Sequence, residues 1–266
     1  MFRRIHTFLF LLAILSLSIS ACAGTNAGSE SRTLTIYAAA SLTDAFTEIG
    51  QAFEALYPGV TVVFNFGGSQ NLRTQIEQGA PADIFASASI KEMETLVEQS
   101  MVEADAPKVF LTNQLVVILP SDNPAGIRSL ADLSKPGLKL VLAAEEVPAG
   151  RYAREILDHL NAQFGAEYKD QVLTNVVSNE DNIRQAVTKV QLGEADASVV
   201  YVSDAVAVPE LQKIEIPADV NVIAEYPIAP LAESVNLDLA NEFIVYVLSP
   251  DGQATLKKWG FTPIVP

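Results

Sequence analysis

An α/β fold with mainly parallel sheets is what this sequence predicts, and three observations predict it. From Thr33 onward, short apolar runs rich in β-branched residues alternate with amphipathic segments about 8 to 16 residues long. Those segments carry apolar residues at helical spacing, three to four residues apart. The chain of 266 residues is also 49% hydrophobic and 18% charged, a balance that builds a sizeable core and not a disordered chain.

The first 21 residues stand outside the fold. Arg3 and Arg4 give a basic start, Phe8 to Leu17 is apolar apart from Ser16, and small residues run up to Ala21. This reads as a secretory signal peptide over 1–21. Its apolar part falls short of the roughly 20 residues a spanning helix needs. Ile19-Ser20-Ala21-Cys22 resembles the lipobox of bacterial lipoproteins, in which the cysteine is lipidated and becomes the mature N-terminus. Cys22 is the single cysteine of the chain, so an intrachain disulfide is excluded. Residues 22–32 are small and polar, as a lipid-anchored tether should be.

The strand-like runs then follow in order: TLTIYA, VTVVFNF, ADIFAS, QLVVILP, LKLVLA, DQVLTNVV and ADASVVY. Between them, Leu42, Ala45, Phe46, Ile49, Phe53 and Leu56 form a helical stripe that Pro58-Gly59 ends. Tyr152, Ile156, Leu157, Leu160 and Phe164 form a second stripe, closed by Gly165. Ile183, Ala186, Val187 and Val190 form a third; Ala240, Phe243, Ile244 and Val247 a fourth, before Ser249-Pro250-Asp251-Gly252 opens a last helix. The Pro/Gly-rich stretch PSDNPAG and the extended run AEYPIAP are the expected crossings between two lobes. Lobe 1 is then 31–119 plus 228–266, and lobe 2 is 120–227.

Charge and residue counts exclude several functions. Without Arg3 and Arg4 the chain carries 15 basic against 32 acidic residues, a net charge of −17. No basic patch forms, so a nucleic-acid partner is not expected. Beyond the signal the chain holds one histidine, His159, and no cysteine other than Cys22, which leaves no Cys/His zinc site. A serine hydrolase using Ser41 or Ser69 would depend on His159 as base, and no G-x-S-x-G elbow accompanies either serine. No P-loop or EF-hand pattern occurs.

What the chain does contain is a series of helix starts preceded by small residues. Ser41 opens SLTD, where the serine can cap the helix and Asp44 can reach back in a capping box. Ser69 follows Phe66-Gly67-Gly68, Ala149-Gly150 opens the Tyr152 helix, and Asn179 to Ile183 opens the next. A lone start of this kind is ordinary capping. Several aimed at one point would make an anion site from unpaired N–H groups and helix dipoles, with no cationic side chain.

AAASLTDAF, FGGSQNLRTQIEQGAPADIFASAS, VPAGRYARE and GEADASVVYVSDA, in that order, resemble the molybdate-binding proteins of bacterial ABC importers. The resemblance runs from about Thr33 to Phe261 and implies a periplasmic-binding-protein-like fold of type II, two α/β lobes with the ligand in the cleft. It implies no enzyme activity and no cofactor. The ligand would be molybdate, with tungstate as a second, and the partners an ABC permease and the membrane through the lipid anchor. The protein would be exported and monomeric. By motif, the oxyanion falls to the hydroxyls of Ser41, Ser69 and Tyr201 and to backbone amides at Ala149 and Ile183, with Asn182 as the alternative to Ile183. The metal is held as oxyanion, without direct coordination. Arg151, directly after VPAG, is expected to point to solvent. A binding protein for another small anion, such as sulfate or an organic acid, shares this fold and differs only in cleft detail.

Overall fold

The computed structural model describes residues 31–264; the expected signal segment, Cys22 and nearly all of the tether lie outside the described residues. The strands are β1 (Arg32–Ala39), β2 (Val60–Gly67), β3 (Ile84–Ala86), β4 (Lys108–Asn113), β5 (Leu115–Leu119), β6 (Leu140–Ala143), β7 (Val176–Glu180), β8 (Ser198–Tyr201), β9 (Gln212–Glu215), β10 (Ala224–Pro230) and β11 (Thr262–Pro263). The helices are α1 (Thr43–Leu56), α2 (Ser69–Glu77), α3 (Ile90–Glu98), α4 (Pro148–Phe164), α5 (Tyr168–Thr174), α6 (Ile183–Gln191), α7 (Val202–Ala207), α8 (Leu237–Leu248) and α9 (Pro250–Lys258). Short 3-10 turns cover Ala40–Leu42 and Leu130–Ser134.

A six-stranded sheet has the order β11-β4-β10-β3-β1-β2, a three-stranded sheet the order β8-β5-β9, and β6 pairs with β7. Mainly parallel sheets are the sequence expectation, and the pairs β1–β2, β1–β3 and β6–β7 are parallel. The sheets are mixed, however, because β4, β5 and β10 pair antiparallel with their neighbours. These strands carry the chain from one sheet to the other and back, so they run against the βα units beside them. The change of sheet occurs between Asn113 and Leu115 and again shortly before Ala224; β5 pairs entirely within the second sheet.

The second half of β1, Ile36 to Ala39, is apolar and buried on both faces, whereas exposed Thr33 and half-buried Thr35 alternate with Leu34 in the first half. Leu34, Ile36 and Ala38 pack into a core with Phe46, Ile49 and Phe53 of α1 and Phe243 of α8. Tyr37, on the opposite face, packs with Leu72 of α2, Phe85 of β3 and Met93 of α3. A sheet buried on two sides requires this near-continuous apolar run. In the other half, Val116 to Ile118, Val141, Leu142, Val199 and Val200 are buried with Ile156, Leu160, Ala186 and Val190 from α4 and α6.

The expected strands omit β4, β9 and β11, and one expected strand is in large part a helix. DQVLTNVV reads as a strand, but Tyr168–Thr174 is helix α5 and β7 begins only at Val176. The helix is fixed from outside: Tyr168 and Val172 are buried, and the Tyr168 hydroxyl donates to the carbonyl of Leu130. Asn175, also buried, then donates to the carbonyls of Leu133 and Lys135 at 2.9 and 2.8 Å. Tertiary partners here override the β preference of the valines.

Candidate functional site

A small cavity lies where β1, β2, β3 and β8 end and where α2, α4 and α6 begin. About 210 Å³ of atom-free space lies there, open solvent included. Ser41, Ser69, Ala149, Ile183 and Tyr201 all line it, so the structure brings together every residue that the motifs single out. Asn182 lines it as well. The remaining lining is small or apolar: Ala39, Ala40, Gly67, Gly68, Ala88, Val147 and Pro148. Among the described residues, no side chain that lines it is charged.

Each hydroxyl is placed by its element. Ser69 is the first residue of α2, 1% exposed, and its Oγ accepts the N–H of Ala88 at 3.0 Å. That bond uses a lone pair and leaves the hydroxyl hydrogen free. Ser41 sits inside the 3-10 turn after β1, and its Oγ lies 2.9 Å from the Tyr226 hydroxyl. The expected capping box at SLTD is therefore absent: no side chain caps this turn or α1, and Asp44 pairs instead with Arg184. Tyr201, at the end of β8, is 1% exposed and its hydroxyl has no partner among the described residues. Burial pushes its phenol well above the usual value, with nearby Tyr226 adding to the effect, so the group stays protonated as a donor.

The helix starts supply amides. α2 follows Gly68 and α4 follows Val147 with Pro148 at its first position, and neither has a side-chain cap. Their first-turn N–H groups thus have no intrahelical partner and face the positive end of the dipole. At α6 the Asn182 side chain accepts from the Gln185 N–H at 3.2 Å. The Asn182 side chain is occupied as a cap, which leaves its backbone N–H and that of Ile183, the first inside the helix, both as candidate donors. Small residues keep the backbones close: a Cβ on Gly68 would lie 2.4 Å from the Asp181 carbonyl oxygen. A Cβ on Gly150 would lie 2.0 Å from the Ala144 carbonyl oxygen.

Polar ties cross the cleft around this cavity. Gln70 Nε2 donates to the Asp181 carbonyl at 3.1 Å. Arg151, expected to reach into solvent, donates to Ser89 Oγ at 2.9 Å and stands 3.9 Å from Glu92. A partly buried partner pair draws it inward. Arg184 joins Asp44 of α1 on one side, and its Nε lies 2.9 Å from Asp204 Oδ1 on the other. The second contact is an ion pair without the alignment of a hydrogen bond. Asp204 is fully buried, and burial pushes it up to about 6, with Arg184 pulling the other way. Neither arginine lines the cavity, and both spend their charge on carboxylates. Sequence reasoning missed Arg184 and Tyr226; EDNIR and AEYPIAP contain them, but neither reveals its partner without the fold.

His159 does not line the cavity, and its Nδ1 lies 2.9 Å from the Val220 carbonyl; neither serine is hydrogen-bonded to an imidazole. Among the described residues, no three His, Cys, Asp or Glu side chains are placed to hold a metal ion. No helix among them is long and apolar enough to cross a membrane.

Residues 34–262 match the family described as bacterial extracellular solute-binding protein. The chain belongs to that family. Among the relatives of this solute-binding protein is molybdate-binding protein ModA of Mycobacterium tuberculosis H37Rv, 38% identical over 86% of this chain and 84% of the relative. A putative ABC transporter substrate-binding lipoprotein, YvgL of Bacillus subtilis, is 30% identical over 98% of this chain and 99% of its own. The solved substrate-binding domain of a putative molybdenum ABC transporter from Clostridium difficile is 32% identical, with a TM-score of 0.66 over 88% of this chain and all of that one. These matches and the mixed sheets flanked by helices place the solute-binding protein in the two-lobe, type II periplasmic-binding class.

Proposed function

We propose that this protein captures molybdate, and tungstate with it, outside the membrane and delivers it to an ABC permease. The observation that carries the reading is the cavity: five residues picked out by motif line one small, uncharged chamber of hydroxyls and helix-start amides. Ser41, Ser69 and Tyr201 would donate from side chains, and Ala149 and Ile183 from the backbone. Charge-assisted hydrogen bonds of this kind are worth roughly 1.5–3 kcal/mol each before desolvation and ordering costs. Five of them sum to roughly 7.5–15 kcal/mol gross, against the roughly 8 kcal/mol that micromolar affinity needs net of those costs.

Fixed donors without an acceptor favour a bare dianion. Phosphate carries a proton near neutral pH and would leave it unpaired, whereas ionised molybdate presents only acceptors. The lobes of this reading, 31–119 plus 228–266 and 120–227, meet at the cleft; the chain changes sheet near both crossings, at Asn113–Leu115 and just before Ala224. Closure of the lobes on the anion is the signal the permease would read. Lipidation at Cys22 and a monomeric state complete the proposal; acyl labelling should vanish in Cys22→Ser, and labelling that persists removes the anchor.

Titration calorimetry of the protein lacking residues 1–22 with molybdate, tungstate, sulfate and phosphate tests the reading. Tight binding of molybdate and tungstate is expected. Tight phosphate binding with no molybdate heat overturns it.

A further inference from the structure

Tyr226 does not line the cavity, yet it stands directly behind a residue that does. It lies on β10 at the irregularity between Tyr226 and Pro227, is completely buried, and has its hydroxyl 2.9 Å from Ser41 Oγ. Its ring is held edge-on by Phe110, Tyr201 and Phe261, with centroid separations of 6.5, 5.8 and 5.8 Å. A ring held on three sides cannot swing its hydroxyl to another acceptor.

The direction of the Tyr226–Ser41 hydrogen bond follows from counting hydrogens. Ser41 Oγ is the one hydrogen-bond partner of the Tyr226 hydroxyl among the described residues. Asn113 and the Tyr201 hydroxyl also approach the Tyr226 hydroxyl, but each acts toward it as a donor and not as an acceptor of its hydrogen, and neither makes an aligned bond to it: Asn113 Nδ2 donates to Ser203 and the Tyr201 hydroxyl is unpartnered. Were Ser41 the donor, the buried Tyr226 hydrogen would have no acceptor, a costly arrangement in a dry core. Tyr226 therefore donates, Ser41 accepts, and the Ser41 hydrogen is left for the cavity. Burial keeps the Tyr226 phenol protonated, so the donor persists across the physiological range. Ser69 is treated alike, its lone pair taken by the Ala88 N–H.

Resting on the reading of the cavity as an oxyanion site, we infer that Tyr226 is a positioning residue that turns Ser41 into a fixed hydrogen-bond donor and sharpens preference for a fully ionised oxyanion. Without it, Ser41 would rotate freely and could accept from a protonated anion.

The test is a double-mutant cycle on the protein lacking residues 1–22, read by titration with molybdate and with phosphate. Tyr226→Phe keeps the ring and should weaken molybdate binding about three- to tenfold, the range one indirect hydrogen bond commands. Phosphate binding should not weaken in parallel, so the molybdate-to-phosphate ratio narrows. In a Ser41→Ala background the same change should cost less than about twofold, because the group it orients is gone. A merely structural tyrosine would lower both anions equally and would act undiminished without Ser41. Either result, or an unchanged affinity in Tyr226→Phe, overturns the role. If the phenylalanine variant does not unfold cooperatively, Tyr226→Met carries the same measurements. Parent protein that binds none of the four oxyanions overturns the site reading and this inference together; parent that binds molybdate beside an equally tight variant overturns only this one.

Discussion

Replacing Arg184 by Met keeps most of the stem and removes a charge that touches both sides of the cleft. Breaking a buried ion pair ordinarily costs about 3–5 kcal/mol. Here the loss is capped, because Asp204 can take up a proton. With Asp204 at about 6, protonating it at about pH 7.5 costs only about 2 kcal/mol. The Asp44 contact, with side chains 26% and 33% exposed, adds about 0.5 kcal/mol once solvent screening is allowed for. The expected destabilisation is therefore about 2–2.5 kcal/mol at pH 7.5.

It should shrink on acidification. A carboxyl whose folded pKa is raised contributes stability that is fully present below its unfolded value and is lost as pH rises through the folded value. The parent finishes that loss near 6. In Arg184→Met burial loses its main opponent and only the Tyr201 backbone still opposes it, the folded value climbs further, and loss continues above 7. At about pH 5, where Asp204 is already mostly protonated in the parent, only about 0.5 kcal/mol should remain. Urea unfolding of the ligand-free protein, followed by fluorescence of Trp259, the single tryptophan, measures both. A penalty that is equal at the two pH values, or larger at the acidic one, refutes the assignment of Asp204 as the group that limits the cost.

Ser41→Ala combined with Ser69→Ala should weaken oxyanion binding at least tenfold, roughly 1.4 kcal/mol, and lower the melting temperature without abolishing cooperative folding, since the Tyr226 hydroxyl and the Ala88 N–H lose buried partners; unchanged titrations would reduce both serines to structural roles. Gly68→Ala drives a Cβ against the Asp181 carbonyl, so the two sides of the cleft must separate locally. Small-angle scattering with saturating molybdate should then show a larger radius than the parent under the same conditions, and an identical radius would mean the contact yields without moving the cleft.

Much of the fold is legible because its strands are short apolar runs set between amphipathic helices. TLTIYA and VTVVFNF announce themselves as apolar runs, and the stripe of α1 faces the core with Ala45, Phe46, Ile49 and Phe53. Five site residues are legible for another reason: each sits at a helix start or strand end whose local motif is self-contained. Arg184 and Tyr226 are not, since their partners Asp44 and Ser41 lie 140 and 185 residues away. A side chain whose meaning is a single distant contact leaves no local trace. α5 was hidden similarly, because valines favour a strand until Tyr168 and Val172 find their places beneath the Leu130–Ser134 turn.

At the junction of the two sheets, Leu115 and Asn221 are stitched together. The Leu115 N–H donates to Asn221 Oδ1 at 3.1 Å, and Asn221 Nδ2 returns a bond to the Leu115 carbonyl at 2.9 Å. One side chain thus imitates a strand, pairing the outgoing thread of the chain with the returning one just where both leave their sheets. Two threads laced in this way bend together and resist sliding past each other. Motion of the halves would then be a swing about one pivot, and that pivot adjoins the cavity, because Leu115 is the β5 residue paired with Tyr201 of β8.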